Sequence, residues 1–437
     1  MSKPLSPLAV ALNDELSSNG SPLLAMLSAR GVRTYFPSKG ILGQSAEARG
    51  SAVNATIGTA FEEDGSPLCL ECVEGLVNLP STAFLYAPSF GLPELRKAWA
   101  DMLAVKNPSL AGKAFSLPVV TSALTHGLSL AGHLFLDAGD EVVLPDLYWD
   151  NYDLIFEEAY GAVLRTFPMF TDAGAFNAEG MERLLMGAGE KKTVILNFPN
   201  NPTGFTATHA DAEAICAALS RVTAAGKRVV VVLDDAYFGL VYEEGVSKES
   251  LFGKLMELHP NVLAVKLDGP TKEDYVWGAR VGFITFGAKG ATPKQYAALE
   301  AKAAGAVRGG ISNVSSIGQH LLLKAYASED YAKQKQEKYE TLKRRYDHIK
   351  AIFRKHPEYA QSFAAMPFNS GYFMCVKPVG VDPEALRRHL LVKGIGVIVL
   401  SGLVRIAFST VADDKLDALF ASIHAAVQEM PGAAKQV

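Results

Sequence analysis

Cysteine is scarce in this chain, with four residues in 437. Cys69-Leu70-Glu71-Cys72 is formally a C-x-x-C, but no second pair and no nearby histidine accompany it, and Cys216 and Cys375 stand far apart and single. A lone C-x-x-C is a poor zinc signal, so no metal is expected. The segment Pro67 to Val73 reads instead as strand or loop with partly buried thiols. An excess of one charge is also missing: 42 Lys and Arg against 46 Asp and Glu leave a net charge of −4. No basic cluster interleaved with aromatics appears, which argues against a nucleic-acid partner. No apolar run is long enough to span a bilayer, and the N-terminus lacks the apolar core of a signal peptide. No membrane partner is expected, and a cytosolic location is the expectation. Internal repeats and low-complexity tracts are absent as well.

What is present suffices for a large core: 49% of the residues are hydrophobic, and the length suggests two or three folding units. Residues before about Ser51 are polar, with scattered Gly, Ser and Pro, and read as an arm with a first short helix. From about Pro67 to His320, short apolar strands alternate with helical stretches, the pattern of a parallel sheet covered by helices on both sides. Glu141 to Pro145 is such a strand, and Ala207 to Ala225 is an Ala-rich helix ending near Gly226. A charged stretch from Ser328 to His356 has helical period and reads as a long connecting helix with a solvated face. The C-terminal part alternates again: strand Tyr372 to Val376, helix Pro383 to Val392, strands Gly396 to Leu400 and Val404 to Phe408, and helix Asp413 to Met430. The expected organisation is therefore an arm that joins a small domain (1–64), a large α/β domain (65–330), and a connecting helix with a smaller α+β domain (331–437).

Three of the apolar strands end in polar residues suited to one kind of chemistry. Thr193 to Phe198 runs into Pro199-Asn200-Asn201-Pro202-Thr203-Gly204. Arg228 to Leu233 is almost pure valine and stops at Asp234-Asp235-Ala236-Tyr237. A third strand leads into Thr271-Lys272, with Arg280 eight residues after the lysine. Ligands of open parallel sheets bind outside the carboxyl ends of the strands, where Asn201, Asp234, Tyr237 and Lys272 all fall. A lysine there forms a Schiff base with a carbonyl cofactor, and an arginine grips a phosphate on the same ring. Eight extended residues would span roughly 27 Å, so the segment must curl back, and Gly278 offers the place to turn. An ionised Asp234 keeps a pyridine nitrogen protonated and makes the ring an electron sink, the work of pyridoxal phosphate. Asn201 and Tyr237 can hydrogen-bond a phenolate oxygen on that ring. Taken one at a time, each motif is as readily a surface charge, a turn or a helix cap; their order along one chain is what points to a site.

These motifs, with a late arginine in Val404-Arg405-Ile406-Ala407-Phe408, resemble the class I/II aminotransferase family of fold-type I pyridoxal-phosphate enzymes, nearest the aspartate and aromatic branch. The resemblance runs from about Asn54 to Phe408. It implies a mostly parallel central sheet covered by helices, a smaller α+β domain, and a homodimer with shared sites. Tyr86, in Tyr86-Ala87-Pro88-Ser89, resembles the tyrosine that members lend to the neighbouring subunit's phosphate. Arg405 resembles the arginine that holds the substrate α-carboxylate, and Gly58 lies in a segment resembling the loop that closes over substrate. Arg308, followed by Ser312-Asn313, matches the spacing of the arginine that reaches across the dimer to a side-chain carboxylate. Either Tyr148 or Trp149 is the aromatic that stacks on the ring, and the Trp-x-Asn spacing favours Trp149.

After Arg308, the double glycine Gly309-Gly310 and Val314 in place of proline depart from the family pattern, and so do two places near the phosphate. The phosphate turn, commonly Ser-Gly-Thr, is Ala123-Leu124-Thr125 here. It keeps the backbone donors of a helix N-terminus and the Thr125 hydroxyl but loses one side-chain donor. The family's Ser-x-Ser-Lys becomes Gly269-Pro270-Thr271-Lys272, so phosphate binding leans on Arg280, Thr125 and backbone N–H groups. His126 reads as a cap or packing residue. The function implied is transfer of an amino group between an L-amino acid, aspartate, glutamate or aromatic, and a 2-oxo acid by ping-pong kinetics. The alternatives are a lyase on the same scaffold that eliminates sulfur from cysteine conjugates, and a non-enzymatic effector-binding domain, which would carry an extra DNA-binding segment.

Overall fold

The computed structural model describes residues 4–17, 27, 32–33, 40–74 and 78–430. Strand β1 is Val53–Asn54. The central sheet holds β2 (Val119–Thr121), β3 (Glu141–Pro145), β4 (Val163–Phe167), β5 (Lys191–Asn197), β6 (Arg228–Asp234), β7 (Val262–Asp268) and β8 (Gly282–Gly287). Their order is β2-β8-β7-β6-β5-β3-β4. Neighbours from β4 across to β7 run parallel, while β8 is antiparallel to both β7 and β2. The sheet is thus mostly parallel, with one reversed strand. The chain leaves β7 and returns directly beside it, and an antiparallel return needs no crossover helix.

The valine run of β6 shows why the sheet forms. β-branched side chains suit an extended backbone, and a central parallel strand is apolar on both faces. Val229, Val231 and Leu233 pack on one side with Ile215, Leu219 and Val222 of the helix His209–Ala224. Val230 and Val232 pack on the other side with Leu128 and Ala131 of the helix Ala123–Phe135. Each such side chain contributes about 1.5–3 kcal/mol through burial. The helix His209–Ala224 starts at a capping box, with Thr208 and Asp211 each satisfying the other's backbone N–H, which sets its first turn slightly inside the expected span.

The second unit is a four-stranded antiparallel sheet of β9 (Phe363–Ala365), β10 (Phe373–Pro378), and, beyond the two-residue β11 (Ile395–Gly396), β12 (Ile398–Leu400) and β13 (Leu403–Ala407). Its order is β12-β13-β10-β9. Helices Pro383–Val392 and Leu416–Glu429 pack with it, and the 25-residue helix Tyr331–Lys355 leads into it. The strand expected over Gly396 to Leu400 is broken at Val397, and the helix expected from Asp413 opens with a short 3-10 turn. Strand β1 pairs with β11, so residues from the N-terminal part join this unit. Of the arm expected before Ser51, helices Pro7–Ser17 and Ile41–Glu47 are seen, and residues 1–3, 18–26, 28–31 and 34–39 lie outside the described residues. No helix among the described residues is long and apolar enough to cross a membrane.

The segment around Cys69 and Cys72 is loop from Leu68 to Leu70 with partly buried thiols, as expected, and ends in a single unexpected helical turn, Glu71–Glu74. Leu68 and Leu70 bury into the core of the second unit, and the Cys72 N–H donates to the Gln334 side chain at 2.8 Å. A partner 262 residues away thus fixes the local conformation.

Gly204 couples the two units. Its φ is +74°, and a Cβ built on it would stand 1.9 Å from the Phe373 carbonyl oxygen. Its own carbonyl accepts the N–H groups of Asn369 and Ser370. Gly226 has a similar φ of +86° but faces open space. Gly226→Ala is therefore expected to cost about 1 kcal/mol from backbone strain alone. Gly204→Ala is expected to cost about 3 kcal/mol or more because overpacking against backbone is added. Thermal unfolding of the two variants side by side checks the difference.

Candidate active site

Strands β5, β6 and β7 deliver polar residues to one cavity at their carboxyl ends. The walls include Asn197 at the end of β5, Asp234 at the end of β6, and Thr271, Lys272 and Arg280 beyond β7. Ala123, Leu124 and Thr125 from the start of the helix after β2 join them, with Trp149, Asn201, Tyr237, Gly58, Phe373 and Arg405. Every residue expected in the site therefore lines one cavity, apart from Tyr86 and Arg308.

Lys272 and Asp234 make the electrostatic centre. Burial pushes the Lys272 amine down to about 8, assisted by the Arg280 cation and opposed by Asp234. About a tenth of such an amine is unprotonated at pH 7, far more than for a solvated lysine, and this is the form that attacks a carbonyl. Burial lifts Asp234 to about 6, against the pull of the Tyr152 hydroxyl and of Lys272. Tyr152 donates to Asp234 Oδ2 at 2.6 Å, and Oδ1 is buried with no partner among the described residues. A buried carboxylate oxygen without a partner is a ready acceptor for a cationic N–H.

Three further residues complete this centre and were not expected from the sequence. Asn197 donates to the Asp234 carbonyl at 2.6 Å and accepts the Asn201 N–H at 2.8 Å, tying the strand end to the Asn-Pro-Thr-Gly loop. Tyr152 is fully buried under Asp234. Thr271 lines the cavity with a buried hydroxyl that has no partner among the described residues. The signal available for Asn197 was a polar residue closing an apolar strand; for Thr271 it was adjacency to the lysine.

The turn from Lys272 to Arg280 differs from expectation. Gly278 lies inside a 3-10 turn, Trp277–Ala279, and has no positive φ. The reversals fall at Tyr275, with φ 55°, and at Arg280 itself, with φ 50°. Left-handed backbone costs a side-chain-bearing residue about 1–2 kcal/mol. At Tyr275 it is imposed by packing, because that ring is buried in the second unit's core.

Gly269 carries no hydroxyl for a physical reason. A Cβ there would lie 2.8 Å from the Gly282 Cα, so no side chain fits. At the helix N-terminus, Ala123 takes φ 59°, and Thr121 Oγ1 donates to its carbonyl at 2.9 Å. His126 Nδ1 accepts the Ser122 N–H at 3.0 Å, a capping role. The N–H groups of the first turn have no intrahelical acceptor and so offer an anion cradle.

Arg405 lies on β13, 2% exposed. It donates to Asn201 Oδ1 and to the Thr56 carbonyl, both at 2.9 Å, and its guanidinium lies 4.4 Å from the Phe373 ring centre. Its Nε has no partner. A Cβ on Gly58 would sit 3.7 Å from the Tyr237 hydroxyl, so this loop closes tightly against the cavity. Trp149 lines the cavity, whereas Tyr148 donates to Asp153 at 2.9 Å and lies parallel to Tyr152. Tyr86 stands 93% exposed, outside the cavity. Arg308 is also exposed and donates to Ser312 Oγ at 2.8 Å. Their loops are tied together, since Ser89 Oγ donates to the Ser312 carbonyl at 2.8 Å.

Residues 64–423 match the family model described as aminotransferase class I and II. Among curated proteins, the chain is 28% identical to the "Probable aspartate/prephenate aminotransferase" of Aquifex aeolicus, over 55% of this chain and 56% of that one. It is also 28% identical to the aspartate aminotransferase of Geobacillus stearothermophilus, with the same coverage. The chain spans about half the length of the curated relatives it matches. Among solved structures, an aminotransferase from Anaerococcus prevotii superposes with a TM-score of 0.81 at 22% identity, covering 92% of this chain and 99% of that one. The Thermus thermophilus aspartate aminotransferase with maleate superposes with a TM-score of 0.72 at 20% identity, with the same coverage. The fold is fold-type I, as the sequence motifs imply.

The buried Asp234 carboxylate has a stability consequence in protein stripped of small molecules. Its folded pKa of about 6 lies above the ordinary 3.8, so its ionised form is disfavoured by folding. That penalty is absent below about pH 4, grows as pH rises, and is complete above about pH 6. Asp234→Asn, which keeps an acceptor for Tyr152, is expected to stabilise the protein by about 3 kcal/mol at pH 7. The gain should vanish near pH 4, as followed by thermal unfolding across that range.

Proposed function

Because the chain belongs to the aminotransferase class I and II family, we propose that it is a pyridoxal-phosphate-dependent aminotransferase, moving an amino group between an L-amino acid and a 2-oxo acid. The observation that carries this reading is the buried Lys272 amine, pushed to about 8, in one cavity with the unpartnered Asp234 oxygen, Arg280 and Arg405.

The residues fit the cofactor group by group. Arg280, the first-turn N–H groups of Ala123, Leu124 and Thr125, and the hydroxyls of Thr125 and Thr271 suit a phosphate. The open Asp234 Oδ1 suits a protonated ring nitrogen. Tyr237 and the Asn201 amide suit the ring oxygen, and Trp149 suits the ring face. When bound, the cofactor supplies an electron sink next to the substrate α-carbon.

The chain's own residues then do the rest. Arg405 takes the substrate α-carboxylate and orients the amino group toward the position Lys272 holds. The Asn201 and Thr56 bonds already fix the guanidinium plane. Lys272 Nζ would then stand to take the proton from the substrate α-carbon and to give it back, as base and then acid. Asp234, held by Tyr152 and by the Asn197 link, stays ionised through both halves. Gly58 and Phe373 close the substrate side against water. The 2-oxo acid is handled by the same groups in reverse, giving ping-pong kinetics.

Tyr86 and Arg308, exposed on loops joined through Ser89 and Ser312, suit a homodimer in which each chain lends both residues to its partner's cavity. Tyr86 would then meet the phosphate, and Arg308 a side-chain carboxylate. Aspartate or glutamate, and aromatic amino acids where Arg308 swings aside, are the donors this arrangement favours.

Protein supplied with pyridoxal phosphate is expected to absorb in the visible, and borohydride should fix the label on the Lys272 peptide. Lys272→Ala should lose both the label and turnover; normal transamination by that variant would refute the assignment. Arg405→Met should lower kcat/KM by about 100-fold or more, corresponding to loss of a buried charge-assisted pair. A panel of amino donors with 2-oxoglutarate as acceptor measures both variants and identifies the substrate. Continuous release of pyruvate or ammonia from an amino acid alone would favour the lyase instead.

A further inference from the structure

Two carboxylates directly follow Lys272, and the chemistry above uses neither. Glu273 and Asp274 are 2% and 1% exposed. They lie in the seam between helix Pro93–Lys106 and helix Tyr331–Lys355. Lys106 Nζ meets Glu273 Oε1 at 2.8 Å. Lys335 Nζ bridges Glu273 Oε2 and Asp274 Oδ1, each at 2.7 Å. Tyr331 and Tyr326 donate to Asp274 at 2.8 and 3.2 Å. Burial alone would raise the Glu273 carboxyl, but the two lysines hold it at about 2, and the carboxylates in turn lift Lys335 above its usual value. Two buried anions are thus matched by two cations drawn from different helices. Removing one partner of such a set leaves an uncompensated buried charge.

The position of this cluster matters more than its charge balance. Lys272 stands on a single helical turn, Pro270–Glu273. So short a helix has no stability of its own, and its place is imposed from outside. Its carbonyls are held by the Asp274 N–H on Pro270 at 3.0 Å and the Tyr372 hydroxyl on Lys272 at 2.8 Å. Its side chains at 273 and 274 are gripped from both flanks. One grip comes from a helix packed on the seven-stranded unit; the other comes from the helix that leads into the small sheet.

We propose that Lys335 and Lys106 are positioning residues for Lys272: they clamp Glu273 and Asp274, fix where the Lys272 backbone stands in the cavity, and cancel two negative charges that would otherwise act on its amine. The proposal rests on the aminotransferase reading for its kinetic arm. The charged groups facing the amine directly, Asp234 and Arg280, are untouched by the variants that test it.

In holoenzyme, Lys335→Met is expected to lower kcat by about 10- to 100-fold, the effect of a small misplacement of a reacting group, with KM for the amino donor changed less than about threefold. Uncompensated carboxylates favour the protonated amine, so the pH profile should move upward by about half a unit to one unit. Lys335→Arg should restore kcat, and the charge-balanced pair Lys335→Met with Asp274→Asn should return the pH profile toward the starting protein. A readout independent of turnover is the pH dependence of Lys272 acetylation by acetic anhydride in cofactor-free protein, followed by peptide mass spectrometry. It should shift upward by the same amount in Lys335→Met. Should that variant not fold, Lys106→Met, which removes one contact rather than two, carries the same test. A folded variant with unchanged kcat, pH profile and Lys272 acetylation overturns the proposal, as does one with lowered thermal stability and nothing else. Absence of transamination in the unsubstituted protein would instead overturn the functional reading, and the acetylation arm would still decide the clamp.

Discussion

The buried pair of Lys272 and Asp234 is the constraint to which the rest of the cavity conforms. Burial biases each toward neutrality, and each partly restores the charge of the other. The result is an amine poised near 8 beside a carboxylate near 6, a separation that a solvated lysine and aspartate would never show. Keeping it requires dry walls, which Leu124, Trp149, Ala236 and Phe373 supply, and fixed dipoles, which Tyr152 and Asn197 supply. The Asp234 oxygen that lacks a partner among the described residues is a standing cost to the fold.

The second requirement is that two structural units close on the same space. Arg405 belongs to the small sheet, yet its guanidinium is held by Asn201 from the large unit and by Thr56 from the N-terminal part. Gly204 makes that possible nearby, because the loop after β5 reaches the backbone of β10 at a distance no side chain would permit. The buried arginine of the cavity is therefore also part of the joint between the units, and the cavity's shape depends on how the joint sits.

Much of this was legible in the sequence, and the exceptions share a cause. Strands of valine ending in Asp234, and the Asn-Pro-Thr-Gly loop, announce themselves because β-branched burial and polar strand ends are local signals. Lys272 with Arg280 eight residues on was equally plain, and both line the cavity. How the chain turns between them was not, because the left-handed residues are Tyr275 and Arg280 rather than Gly278, and tertiary packing imposes that choice. Trp149 and Tyr148 are adjacent; the Trp-x-Asn spacing favoured Trp149, and that residue lines the cavity. The Cys69 segment took its shape from Gln334. Glu273 and Asp274 read in sequence as an ordinary charged step; their burial becomes intelligible only with Lys106, 167 residues before Glu273, and Lys335, 62 residues after it.

The reversed strand β8 has a consequence for how the molecule comes into being. Edge strand β2 has no other neighbour in the sheet, and its Thr121 pairs with Gly282, made 161 residues later. The turn at Ala123 abuts that same glycine, whose missing side chain lets the two backbones touch. Until the ribosome has delivered β8, the start of the helix after β2 lacks one wall, and β2 waits unpaired while most of the sheet assembles around it. Arg405 is synthesised later still. The wall of the cavity that Arg405 contributes is therefore added only after every strand of the large sheet has been made.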